Sequence, residues 1–320
     1  MDREMPIAIN KLYGCIERGL GKILLPKEVK AILDKEVKQI GDNEIYSQVL
    51  EKADIEDMSM EELKGLYART CSRLVFQEMK KQEKIEKVIK IAEKELLEIE
   101  DIEDVDVEAD VDEDWLIRFF NSVQDIGNER MQALWGKVLA GEIRKPGTYS
   151  LRCIDIMTKM TQEEAQVFEE LSSFMIEYHG TWAILNDEEI NEKYAIDYRK
   201  ILMLDECGII DSNGMMSITL TVQENSDFRL IYGMQLLRFP AQKETRITVP
   251  IYKLTRIGQE LLNILVPKMN QDYFGDIALF LSKRNRNVVF TMHDIVEKDE
   301  IGIRYKNKGI LISEEKHLEK

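Results

Sequence analysis

Residues 114–157 read DWLIRFFNSVQDIGNERMQALWGKVLAGEIRKPGTYSLRCIDIM, and two helical stripes in this stretch set the expectation for the fold. Met131, Leu134, Trp135, Val138 and Leu139 follow the i, i+3, i+4, i+7, i+8 spacing that places apolar side chains on one face of a helix. Trp115, Phe119, Phe120 and Val123 make a second stripe, preceded by Asp112, Glu113 and Asp114, where carboxylates suit the positive end of a helix. The short linker Gln124-Asp125-Ile126-Gly127 turns the pair into a helical hairpin. Gly141 is expected to end its second helix, because glycine takes the left-handed conformation without a Cβ clash. Pro146-Gly147 then predicts a turn, and Ser150 a cap for a third helix carrying Leu151, Ile154 and Met157.

The same residues resemble the core of a bacterial family catalogued as domain of unknown function 2806. The resemblance is carried by Asp114-Trp115, Arg118-Phe119-Phe120, the run from Met131 to Trp135, Leu139-Ala140-Gly141-Glu142, Pro146-Gly147 and the run from Ser150 to Arg152. It is clearest over about 112–175, weakens towards 265, and departs at Cys153, where threonine is expected. It implies a bacterial protein with no assigned reaction, so it supplies a lineage without a mechanism.

Sixty acidic residues against 44 Lys and Arg give a net charge of -16, which repels nucleic acid and anionic membrane unless a local basic patch opposes it. The four cysteines, Cys15, Cys71, Cys153 and Cys207, lack the paired spacing of a zinc or redox motif and read as free thiols of a reducing compartment. No apolar run approaches the ~20 residues that span a bilayer, and Met1 to Lys11 has no secretory apolar segment. The expectation is a cytoplasmic protein.

Upstream of the hairpin, Ile9, Leu12, Tyr13, Ile16, Leu20, Ile23 and Leu24 predict one helix, and after Pro26, Val29, Ile32, Leu33 and Val37 predict another. Glu17 and Glu28 offset the basic charge that a membrane-surface helix needs, so packing within or between subunits is the expected use. Ser59-Met60-Glu61-Glu62 is a capping box. It opens a helical stretch with Leu63, Leu66, Tyr67, Leu74 and Val75, whose stripe is interrupted over 77–84 and resumes at Ile85, Val88, Ile89, Ala92, Leu96 and Leu97. A hairpin or one bent helix both fit, and the near-heptad spacing leaves room for dimerisation. From Glu95 to Asp114 stand 12 acids with no Lys, Arg or His; the run reads as a solvated linker, since the alternating valines and the lack of glycine do not suit a calcium loop.

Thr161-Gln162-Glu163-Glu164 is a second capping box, opening a helix with Ala165, Phe168, Leu171 and Met175. A strand over 181–185, a helix over about 195–207, Cys207-Gly208, the turn Asp211-Ser212-Asn213-Gly214 and alternating residues 215–222 resemble a winged helix. Strands over 228–237 and 247–252 enlarge its wing, and a helix through Leu254–Leu262 closes it. Beyond 272 the sequence predicts a helix ending near Lys283 and strands at 288–296 and 301–305. These either join the preceding sheet or form a small lobe.

The expected fold is therefore mainly α with a C-terminal α+β part. It comprises a helical N-terminal region (1–100), an acidic linker (101–112), a helical-hairpin core (113–178), a winged-helix-like domain with an enlarged wing (179–268) and a small C-terminal α/β extension (269–320). The core is expected to rest on Trp115, Phe119, Phe120, Leu134, Trp135, Leu139, Gly141, Glu142 and Arg152, with Glu142 paired to Arg118, Arg144 or Arg152.

The chemistry looked for is sparse. There is no phosphate-cradling glycine loop, nucleophile elbow or dinucleotide fingerprint. His179, His293 and His317 have no metal-site spacing; His293-Asp294 invites comparison with metal-dependent phosphohydrolases, but the other ligands are not evident. No catalytic residue, metal, cofactor or small molecule is indicated. The expected function is that of a non-enzymatic regulatory protein, by analogy in phage defence or stress response, acting through helix-mediated assembly with a protein partner or a second copy. The alternative is nucleic-acid binding through the winged-helix-like region and the basic residues Lys283, Arg284, Arg286, Arg304, Lys306 and Lys308. The predicted recognition helix carries Arg199 and Lys200 against Asp197, Asp205 and Glu206, which favours the protein-facing reading.

Overall fold

A computed structural model describes residues 7–20, 59–98, 105–106, 108–213, 216–222, 227–240, 245–285, 290–298, 302–306 and 308–312. The helix expected after Pro26, most of the acidic run before Val105, Arg286 and His317 lie outside the described residues. The chain is a mixed α and β protein: a helical N-terminal half, then a sheet interleaved with helices. It divides into two compact units, 1–154 and 155–320.

The first unit holds helices α1 (Ile7–Leu20), α2 (Met60–Leu97), α3 (Glu113–Val123) and α4 (Glu129–Arg144). Helix α5 (Leu151–Lys159) begins in it and runs on into the second unit. Side-chain caps start the helices, at Ser150 as the sequence places it and also at Asp112 and Asn128. Asp112 accepts from the Trp115 N–H at 2.9 Å, Asn128 from Met131 at 3.1 Å and Ser150 from Cys153 at 3.3 Å. The capping box at Ser59 is complete, with Glu62 receiving the Ser59 N–H and Ser59 receiving the Glu62 N–H. Residues 77–84 do not break the chain: α2 is one helix of 38 residues. The polar run has no glycine or proline to end a helix, so a loss of apolar periodicity there marks a change of neighbours.

The core of this unit is aromatic. Trp115 stacks on Phe119 with centroids 5.0 Å apart, and Phe119 meets Trp135 edge-on at 5.2 Å, the offset geometries that ring quadrupoles favour. Trp135, Val138, Leu139 and Ile143 are fully buried, as are Leu12, Cys15 and Ile16 of α1 and Val88 and Ala92 of α2. Leu134 is half-buried, and Arg152, expected with the core residues, is exposed. Close approach is purchased with glycine: a Cβ at Gly19 would lie 2.6 Å from the Phe120 ring, and one at Gly136 would overlap Ile91. The described part of the acidic run does not stand free in solvent. Val105 and Val111 are buried, the Asp106 N–H donates to the Arg144 carbonyl at 2.8 Å, and the Lys11 ammonium donates to the carbonyls of Asp106 and Ala109, both at 2.6 Å.

The second unit continues with α6 (Gln162–Ser172), β1 (Ile176–Tyr178), β2 (Thr181–Leu185), α7 (Glu188–Lys193), α8 (Tyr198–Glu206), β3 (Ile210–Asp211), β4 (Ser217–Val222), β5 (Asp227–Tyr232), β6 (Gln235–Pro240) and β7 (Thr245–Leu254). It ends with α9 (Arg256–Leu262), α10 (Gln271–Arg284), β8 (Phe290–Lys298), β9 (Ile303–Tyr305) and β10 (Ile310–Ile312). Among the described residues the ten strands form one antiparallel sheet in the order β10-β8-β6-β5-β1-β2-β7-β3, with β4 on β7 and β9 on β8. The strand expected over 228–237 is a hairpin, since Gly233, with φ +56, turns β5 into β6. The last strands join the sheet, because β8 pairs along β6 from Gln235↔Asp294 to Arg238↔Thr291.

Strand β7 changes partner midway. Residues 245–250 pair with β4 and residues 251–254 with β2 and β3. Pro250, which has no N–H, stands at the handover; its carbonyl receives the Asn186 N–H at 2.9 Å, while the Ile251 N–H goes to the Met216 carbonyl at 3.1 Å. Tyr232 fastens the sheet to its helices, its hydroxyl donating to the Ser173 carbonyl at 2.5 Å and accepting the Asn270 N–H at 2.8 Å.

Candidate functional site

The corner after α4 is where the family-like residues converge. Helix α4 runs past Gly141 to Arg144, correcting the expectation that this glycine ends it. The reason is tertiary: a Cβ at Gly141 would lie 2.8 Å from the Tyr149 ring, so the glycine makes room for the returning chain. Lys145, Pro146, Gly147 and Thr148 form the expected turn, with the Thr148 N–H on the Lys145 carbonyl at 3.2 Å and Gly147 at φ +84. Glu142, 2% exposed, accepts the Gly147 N–H on one oxygen at 2.6 Å and the Tyr149 N–H on the other at 2.9 Å. Trp115 completes the clasp, its indole N–H donating to the Tyr149 carbonyl at 2.8 Å. With both carboxylate oxygens on backbone donors, Glu142 is built to hold a turn.

In the second unit, α8 offers an outward face of a different kind. Asp197 caps it by accepting the Arg199 N–H at 2.8 Å, and Gly208, with φ +71, closes it. Ile201 and Leu204 are buried beneath. Outward stand Tyr198, 51% exposed, and Leu202, 37% exposed, one helical turn apart, with Asp205 and Glu206 following. The basic residues of this helix stand beside acids: Arg199, its side chain 90% exposed, lies 3.3 Å from Asp197, and Lys200 lies 2.5 Å from Glu170 of α6. At its end, burial and a hydrogen bond to Glu164 push the Cys207 thiol up to about 12. This face is apolar and acidic.

Helices α7 and α10 enclose a cleft of about 530 Å³ that sequence reasoning missed. Asp276 of α10 receives the Lys193 ammonium at 2.5 Å and the Tyr194 hydroxyl, and burial together with that carboxylate raises the tyrosine well above its ordinary value. Across the opening Arg284 lies 4.2 Å from the Phe280 ring centroid and 3.3 Å from Asp187, which also caps α7 by accepting the Ile190 N–H at 3.2 Å. No local pattern could have revealed this cleft, since its partners lie 82 to 97 residues apart in the chain.

The basic residues singled out in the sequence occupy separate neighbourhoods. Lys283 and Arg284 both line the cleft. Arg304 on β9 pairs with Glu297 at 2.6 Å, and Lys306 with Asp294 at 2.9 Å, both across the β8–β9 hairpin. Lys283 and Lys308 are exposed. His293 is buried, its Nδ1 at 2.8 Å from the Lys306 carbonyl and its Nε2 at 3.0 Å from the Thr291 hydroxyl, with Gly309 pressed against the ring. The carbonyl can only accept, so Nδ1 carries a proton. Among the described residues no group of three His, Cys, Asp or Glu side chains is placed to hold a metal ion, and no helix is long and apolar enough to cross a membrane. Cys15 and Cys153 are buried and Cys71 and Cys207 half-buried, and none of the four is in a disulfide.

No curated protein and no solved structure matches this chain. One family model does, described as a protein of unknown function, DUF2806, over residues 68–278. The match begins in α2 and ends in α10, reaching further in both directions than the 112–175 core read from the sequence. It takes in the tryptophan hairpin, the Glu142 clasp, α8 and most of the sheet, which is well over half of the chain, and the protein therefore belongs to the DUF2806 family.

Proposed function

We propose that this chain is a non-enzymatic regulatory protein, working by helix-mediated assembly and by recognition of a protein partner through a winged-helix-like region with an enlarged wing. The order α6, β2, α7, α8, β3 and β4, then β7 supports that likeness, with β7 lying between β2 and β3 in the sheet. On this reading α8 stands where a recognition helix stands, and the β5–β6 hairpin enlarges the wing between β4 and β7. The phage-defence or stress-response setting is carried over by analogy with the bacterial resemblance.

One observation carries the choice of partner. The outward face of α8 presents Tyr198 and Leu202 beside Asp205 and Glu206, and its two cations, Arg199 and Lys200, each stand beside a further carboxylate, Asp197 and Glu170. A groove-reading helix needs cations in excess of acids to meet phosphates. An exposed aromatic with an aliphatic neighbour and acidic flanks suits a basic, partly apolar protein surface.

The test is affinity capture from the native bacterium with the wild type and with Tyr198→Glu and Leu202→Asp, run beside duplex DNA titrations at low salt. A protein retained by the wild type and lost from both variants, with no salt-sensitive DNA binding, is the expected outcome. DNA binding that weakens with salt and with Arg284→Glu or Arg304→Glu would replace this reading with the nucleic-acid one.

A further inference from the structure

We propose that the exposed central face of α2 pairs antiparallel with the same face of a second copy of this chain, about a two-fold axis near Val75 and Phe76. This names the partner for the assembly half of the function proposed above and does not depend on α8.

The argument starts from helical geometry. Ile85, Val88, Ala92 and Leu96 form the buried stripe of α2, and Leu74 lies in line with it, three turns earlier. At 100° per residue, Val75, Phe76 and Met79 sit roughly 100–200° around the helix from that stripe. They are 59%, 62% and 68% exposed, and every residue of 72–80 is exposed. Among the described residues nothing covers these three large apolar side chains, which lie within five residues of one another on one helical face.

What covers them follows from the flanking charges. On the same face Glu61, Ala68, Ser72, Glu83, Glu86 and Lys90 are all exposed. Reflecting the helix about the Val75–Phe76 midpoint brings Lys64 opposite Glu86, Arg69 opposite Glu83 and Glu61 opposite Lys90, each within about a residue of register. All three juxtapositions are of opposite sign. A parallel pairing would set each of these charges against itself. A nucleic acid would require a face of one sign, and a membrane surface a longer apolar stripe. Glu83 already meets Lys80 and Lys87 within the helix at 2.8 and 3.1 Å, but exposed pairs of that kind exchange readily. From Glu61 to Lys90 the shared length is about 45 Å.

The test uses the full chain in sedimentation velocity over roughly 1 to 100 µM. The expected result is a reversible dimer, weakened about 30-fold or more by Phe76→Glu with Met79→Glu, with unchanged far-UV circular dichroism. Arg69→Glu should weaken it, and adding Glu83→Lys should restore it. Mixed chains bearing Lys64→Cys and Glu86→Cys separately should form a disulfide between those two positions on mild oxidation, located by peptide mapping. A monomer across the whole range, a dimer indifferent to the Phe76 and Met79 changes, failure of the double charge swap to restore it, or Lys64→Cys linking only to itself would each overturn the proposal. None of these outcomes alters what the Tyr198 and Leu202 variants retain, so failure here is distinguishable from failure of the recognition face.

Discussion

Replacing Glu142 with alanine tests whether the corner after α4 is a mechanical clasp. The carboxylate accepts two backbone N–H groups at 2.6 and 2.9 Å while 2% exposed. Hydrogen bonds to a charged acceptor contribute about 1.5–3 kcal/mol each, and the orphaned donors add a desolvation cost that water refills in part. Glu142→Ala should therefore destabilise the first unit by about 3–5 kcal/mol. Glu142→Gln should cost about 2–3 kcal/mol, because one amide oxygen replaces two acceptors and the amide N–H₂ confronts a donor. Two units make a single transition unsafe to assume. The assay is urea unfolding followed by tryptophan fluorescence in a Trp182→Phe background, where Trp115 and Trp135 report on the first unit alone. With a urea dependence of about 2 kcal/mol/M, the alanine midpoint should fall by roughly 1.5–2.5 M. A loss below about 1 kcal/mol in both variants, no more than an ordinary surface change, would refute the clasp and reopen Glu142 to a chemical role.

Gly141→Ala should destabilise by about 1–3 kcal/mol in thermal melts despite alanine's better helix propensity, because its methyl meets the Tyr149 ring. Trp115→Phe should cost more than Trp135→Phe beyond the lost ring volume, by about 1–2 kcal/mol. The Trp115 indole N–H serves the Tyr149 carbonyl, whereas that of Trp135 is buried without a partner among the described residues; denaturant midpoints of the two variants check the order. Cys207 should resist iodoacetamide at pH 8 in the folded chain and react once unfolded, as peptide mapping will read. Its raised value means the folded state holds the thiol proton more tightly than the unfolded one. That contribution is complete below the ordinary value of 9.0 and is lost as pH rises towards about 12.

What was legible in the sequence was local. The capping boxes at Ser59 and Thr161, the cap at Ser150 and the Lys145–Thr148 turn depend on residues within four positions of one another, and the structure holds them as the sequence places them. The aromatic stripes likewise needed only a period of 3.6. Gly141 misled because a glycine near a helix end has two uses, and choosing between them required knowing that Tyr149 returns across it. The α7–α10 cleft and the engagement of Arg284, Arg304 and Lys306 were hidden for the same reason. Their acids, Asp187, Glu297 and Asp294, are assigned to them only when helices and strands come together. Basic residues that look like a cluster in the chain are thus distributed over two places in the fold.

The proline at the handover in β7 acts as a register pin. Sliding this strand by one position would carry a residue without a donor into a rung that requires one, and would turn Ile247, Val249 and Ile251 out of the interior. Misaligned pairings are therefore excluded from both ends of the strand at once.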